Sequence, residues 1–177
     1  MFILIPFLVL VIVLAAIVIL AATKPNTFRV QRSATINAAP EKIFSQINDF
    51  RNWPSWSPWE RIDPAMKKTY TGAPSGQGSV YEWSGDSRQI GSGRMEITSS
   101  VPFSVIILKL DFLKPIEGHN IAEFTLEAQG GGTNVTWVMH GPSRFFSKLF
   151  QVFVSMDTLV GKSFEEGLAN LKGITEK

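Results

Sequence analysis

From Phe2 to Ala22 the chain carries no charge and no strongly polar side chain, and a sequence of alternating, strand-like character follows at once. A helix of that length, rising about 1.5 Å per residue, covers roughly the 30 Å of a bilayer's hydrocarbon core. A secretory signal would want positive charge ahead of a shorter apolar region and a small-residue cleavage site. Here Met1 leads straight into apolar residues and only Ala21-Ala22-Thr23 hints at cleavage, so residues 1–23 read as an uncleaved transmembrane anchor and 24–27 as a linker. Lys24, Arg29 and Arg32 follow the span and nothing before it is positive except the amino terminus. The positive-inside tendency then makes this a single-pass membrane protein with residues 28–177 facing the cytoplasm.

Those roughly 150 residues suit one domain with one core. With 17 basic and 15 acidic side chains interspersed, no basic stripe calls for nucleic acid. The chain has no Cys, which removes disulfides, thiolate-bound zinc and thiol nucleophiles.

Alternation over 28–37 predicts a half-buried strand with Phe28, Val30, Ala34 and Ile36 inward. Ala39-Pro40-Glu41 then opens a helix, because proline suits the first turn and an acid suits the positive end of the dipole. Its apolar face is Ile43, Phe44 and Ile47, and it stops near 48–50. Next, Trp53, Trp56 and Trp59 recur every third residue, with Pro54 and Pro58 between them forbidding a regular helix. The segment is either the mouth of an apolar site or a plug for one end of a core.

Six further strands are expected over 67–71, 79–84, 91–99, 104–113, 120–128 and 134–140, separated by turn signals at 72–76, 85–87 and 130–132. Short links make such a sheet antiparallel. Tyr81, Trp83, Met95, Ile97, Ile106, Leu108, Leu110, Phe112, Ala122, Phe124, Leu126, Val135, Trp137 and Met139 all fall on one face. Glu82, Arg94, Glu96, Lys109, Asp111, Glu123, Glu127 and Thr136 fall on the other, as a solvated surface with cross-strand pairs. The greasy face needs a cover. Beyond Ser143, a helix beginning near Arg144 brings Phe146, Leu149, Phe153, Met156, Val160, Phe164, Leu168 and Leu171 onto one side. A break near 155–157 or at Gly161 would divide it into a short helix and a long one.

The segments Ile36-Asn37-Ala38-Ala39-Pro40-Glu41-Lys42-Ile43-Phe44, 48–59 and Phe164-Glu165-Glu166-Gly167-Leu168-Ala169-Asn170-Leu171, in this order and spacing, resemble the SRPBCC or START-like superfamily. In particular they are similar to bacterial proteins of the polyketide cyclase/dehydrase type. The resemblance implies an α+β helix-grip fold, with a curved seven-stranded antiparallel sheet around a long C-terminal helix, here preceded by one transmembrane helix. It also implies a cavity between sheet and helix for sterols, lipids, quinones, hormones or polyketides. Enzymes, carriers and sensors all occur in the superfamily, so the fold alone does not choose among them.

Chemistry-bearing patterns are sparse. His119 falls in a predicted turn and His140 alternates away from the greasy face, so neither builds a triad. No metal-ligand spacing and no nucleotide loop occurs, and no cofactor is called for. Asp157, among Met156, Leu159 and Val160, would be an acid of raised pKa if buried, although a helix-capping role fits its place better. The candidate cavity walls are Trp83, Met95, Ile97, Ile106, Phe112, Phe124, Trp137, Met139, Phe153, Met156 and Asp157, with Trp53, Trp56 and Trp59 at the mouth. The same side chains would fill a solid core; the resemblance sets a pocket beside that reading. The expectation is membrane-tethered binding or carriage of a hydrophobic small molecule or lipid. A cyclase or dehydratase, and a protein-interaction module with an unknown partner, are the alternatives.

Overall fold

The computed structural model describes residues 4–143 and 145–177. Arg144, where the tail helix is expected to begin, and the side chain of Phe146 lie outside the described residues. An apolar helix α1 (Leu4–Thr23) leads into strand β1 (Thr27–Ile36) and helix α2 (Pro40–Ile47). Two 3-10 segments (Phe50–Ser55 and Pro58–Arg61) follow. Strands β2 (Lys67–Gly72), β3 (Ser79–Ser84), β4 (Ser92–Val101), β5 (Val105–Lys114), β6 (Gly118–Gln129) and β7 (Gly132–Pro142) come next, then helices α3 (Phe145–Gln151) and α4 (Met156–Thr175).

The seven strands form one antiparallel sheet in the order β1-β7-β6-β5-β4-β3-β2. First and last strands are therefore neighbours, and the chain must cross from one sheet edge to the other between β1 and β2. Helix α2 and the two 3-10 segments make that crossing, turning Ile43, Phe44, Ile47, Phe50 and Trp53 into the core. The tryptophans also explain why α2 stops. The indole N–H groups of Trp53 and Trp56 donate to the carbonyls of Ile47 (2.9 Å) and Gln46 (3.2 Å), two of the acceptors that a helix end leaves open.

Strand β1 ends at Ile36, where the Ala38 N–H turns back to the Ile36 carbonyl at 2.9 Å. Strand β6 begins earlier than the alternation suggests. Its ladder with β5 runs out to the Phe112/Gly118 pair, so His119 is a strand residue opposite Asp111 rather than part of a turn. Register shifts between Ser92 and Gly93 and between Ile97 and Ser99 bend β4, as bulges do. Gly93 also makes room, since a Cβ there would lie 2.3 Å from the Trp83 ring.

The tail is a short helix and a long one. The break lies just before Met156, where the Ser155 hydroxyl caps α4 by accepting from the Thr158 N–H at 3.0 Å. Gly161 does not interrupt α4; the Arg32 guanidinium of β1 lies over it and binds both oxygens of Asp157 and Oε1 of Glu165. Helix α4 buries Phe164, Leu168 and Leu171 against the sheet. Phe164 stacks on Trp137 with ring centroids 4.1 Å apart. Asn170 ties the helix to the aromatic segment by donating to the Trp56 carbonyl at 3.0 Å.

Candidate functional site

Sheet and helix do not close on each other completely. Between them lies a cavity of about 120 Å³ walled by side chains of β3, β4, β5, β6, β7, α4 and the aromatic segment. The alternation that buries one sheet face supplies most of the wall. A hollow of this order has room for about a single aromatic ring.

Of the residues singled out in the sequence, Trp83, Met95, Phe112, Trp137 and Met139 line the hollow, joined by Trp53 and Trp59. Ile97, Ile106 and Phe124 are fully buried but pack in the solid part of the core. Trp56 is fully buried too, edge-on to Phe124 and Trp137, which makes it a pillar of the core rather than part of a rim. Phe153, Met156 and Asp157 lie outside the cavity. Phe153 is 71 % exposed past the end of α3, and Met156 is only partly buried at the start of α4. The wall is reached one turn further along the helix, by Val160 and Phe164.

Asp157 is exposed, and the cap at this end is Ser155. The hydrogen bonds from Arg32 hold its carboxyl below the usual carboxylate range, so it is an ionised surface acid rather than a proton donor of raised pKa. On the outer sheet face, His119 meets Asp111 at 2.7 Å and Glu117 at 3.0 Å. Among the described residues no group of three His, Cys, Asp or Glu could hold a metal ion.

The wall also contains residues that the pattern does not single out as its lining: Tyr81, Leu110 and Ala122, whose place on the greasy face is legible, and Ser57, Glu60, Met66 and Ile90, whose place is not. Among the described residues of the wall, Glu60 alone carries a charge. Its side chain is 5 % exposed, accepts from the Tyr81 hydroxyl at 2.7 Å and pairs with Lys68. Burial, followed by the bond to Glu60, pushes the Tyr81 phenol well above its ordinary range, so it stays protonated. Glu60 sits in a 3-10 turn between Trp59 and Arg61, where no periodicity distinguishes an inward acid from a solvated one.

A bent antiparallel sheet gripping its C-terminal helix over an apolar hollow defines a START-like domain of the SRPBCC kind. The chain belongs to the family described as polyketide cyclase/dehydrase and lipid transport, whose profile matches residues 27–176. Among solved structures, it resembles a protein from Chromobacterium violaceum at 18 % identity and TM-score 0.59, with 87 % of this chain and 99 % of that one covered. It also resembles the Aha1 dimer from Colwellia psychrerythraea, at 16 % identity and TM-score 0.61 over 84 % and 96 % of the two chains. A third, DynU16 from the dynemicin biosynthetic locus, matches at 15 % identity and TM-score 0.60, covering 87 % of this chain and 48 % of that one. At these identities the likeness is one of fold. No curated protein matches the sequence.

Proposed function

We propose that this chain is a single-pass membrane protein whose domain binds and carries a hydrophobic small molecule or lipid in the hollow between sheet and α4. The observation that carries the reading is that hollow, in which one charged residue stands among aromatic, aliphatic and thioether side chains. Such walls supply contact area and adapt in shape. At about 120 Å³ the space suits one ring or the end of a chain, so a longer guest would keep part of its length outside. The family's description, which includes lipid transport, points the same way.

Helix α1 supports the membrane part of the reading. Its window Pro6–Thr23 is long and apolar enough to cross a bilayer, and only 6 % of that window is buried against the rest of the protein. Anchoring would place the hollow beside the phase into which apolar guests partition, raising their local concentration. The flanking Lys24 and Arg29 favour a cytoplasmic domain.

Native mass spectrometry of the protein released gently from membranes is expected to show a bound lipid or other apolar molecule, and adding a fluorescent lipid should shift the emission of the five tryptophans. Loss of both signals would end the carrier reading. Protease treatment of sealed inside-out vesicles is expected to digest the domain; protection there would reverse the orientation.

A second reading, a cyclase or dehydratase, draws on Glu60 and Tyr81 at the wall. The Tyr81 phenol stays protonated and gives its one hydrogen to Glu60, so it could donate to a reacting oxygen only by leaving that bond, and it cannot act as a base.

A further inference from the structure

Resting on the reading of the hollow as a binding cavity, we propose that its guest carries a hydroxyl group received by the Glu60 carboxylate. The ligand class is then a phenol or an alicyclic alcohol rather than a plain hydrocarbon. Glu60 is the only charged side chain among the described residues of the wall. It is buried, whereas its cationic partner Lys68 keeps 27 % of its side chain exposed. An ion pair made for stability alone gains nothing from having its anion withdrawn to the edge of a hollow, because desolvating the carboxylate is costly.

The carboxylate is also incompletely used. An ionised carboxylate offers about four acceptor positions. Tyr81 donates to Oε1 at 2.7 Å and Lys68 donates to Oε2. Among the described residues one partner falls on each oxygen, which leaves capacity on a group that borders an otherwise uncharged, largely apolar wall. A donor on the guest would add a charge-assisted hydrogen bond, which a hydrocarbon cannot make. A hydroxyl, which carries one O–H donor on an otherwise apolar guest, is the simplest group able to supply that bond.

Phenol and toluene are the probes: each is one ring, with an O–H in the first where the second has a methyl. The full chain, in detergent micelles and labelled with 13C at the methionine methyls, reports binding through Met66, Met95 and Met139 at the wall, with Met156 outside it as control. Both probes are expected to shift the three wall methyls. Glu60→Gln should weaken phenol by about five- to tenfold, the difference between a charged and a neutral acceptor, and change toluene by less than about twofold. Equal effects on both probes, or none, would overturn the hydroxyl site and leave the cavity standing. If neither probe moved the wall methyls, the cavity reading would fall and the hydroxyl site with it. Should the variant not fold, infrared difference spectra of the wild type decide: phenol, and not toluene, should shift a carboxylate stretching band, and its failure to do so would overturn the proposal.

Discussion

Asp111 and His119 face each other across β5 and β6, and their chemistry sets a pH signature on the outer sheet face. Burial pushes the Asp111 carboxyl up, but the hydrogen bonds from His119 and Lys109 outweigh it and bring it below its ordinary value. The bonds to Asp111 and Glu117 raise His119. The stabilisation from the imidazolium is complete below about pH 6.5 and disappears as pH rises through the raised folded-state value. That from the carboxylate is complete above about pH 3.9 and disappears as pH falls through the lowered one. The melting-temperature gap between wild type and His119→Gln should therefore be widest near about pH 5.5 and close in alkali. A gap that grew with pH would contradict the charge pairing. At this scale the sequence is least legible. That His119 is a strand residue depends on how far the β5/β6 ladder extends, and that Glu60 faces inward depends on a Tyr81 hydroxyl two elements away.

Among the elements, α4 shows how a helix can be held close at one point and free at another. A Cβ on Gly167 would come within 2.8 Å of the Trp137 ring and 3.3 Å of Pro58, whereas one on Gly173 would meet nothing within 4 Å. Replacing glycine by alanine in a helix gains up to about 1 kcal/mol from propensity alone. Gly173→Ala should realise roughly half of that or more. At Gly167 the Trp137 ring is locked between Phe124 and Phe164, so overpacking should reverse the sign and cost about 1–3 kcal/mol. Midpoints of chemical denaturation for the two variants check this, and a stabilised Gly167→Ala would show the stack to be looser than it looks. The elements themselves were largely readable, because the two-residue and three-to-four-residue periods of the strands and of α4 are imposed by one shared core. What periodicity cannot give is depth: Ile106 and Met95 share the sheet's inner face, yet one packs solidly and the other borders the hollow. The β4 register shifts are written in no local pattern, and Phe153, in phase with the tail's apolar stripe, falls in the break before α4 and lies exposed.

For the whole molecule, the question is how much of the fold depends on its first helix. Most of α1 is exposed, Ala21 is buried, and the helix packs against α3. Residues 24–177 should therefore fold with a stability within about 1 kcal/mol of the full chain, as expected where few buried contacts are lost. Hydrogen exchange should quicken in α3, and partition into a detergent-rich phase should be abolished. Global unfolding of the shortened chain would show α1 to be part of the core. Only Lys24, Pro25 and Asn26 separate α1 from β1, a span of at most about 10 Å. Asn26 is itself clamped, its carbonyl accepting from the Ser143 N–H at 2.7 Å and its side chain from Lys148 at 2.6 Å. So short and pinned a neck makes a mast, not a mooring line: whatever gripped the helix would also set which way the domain looks.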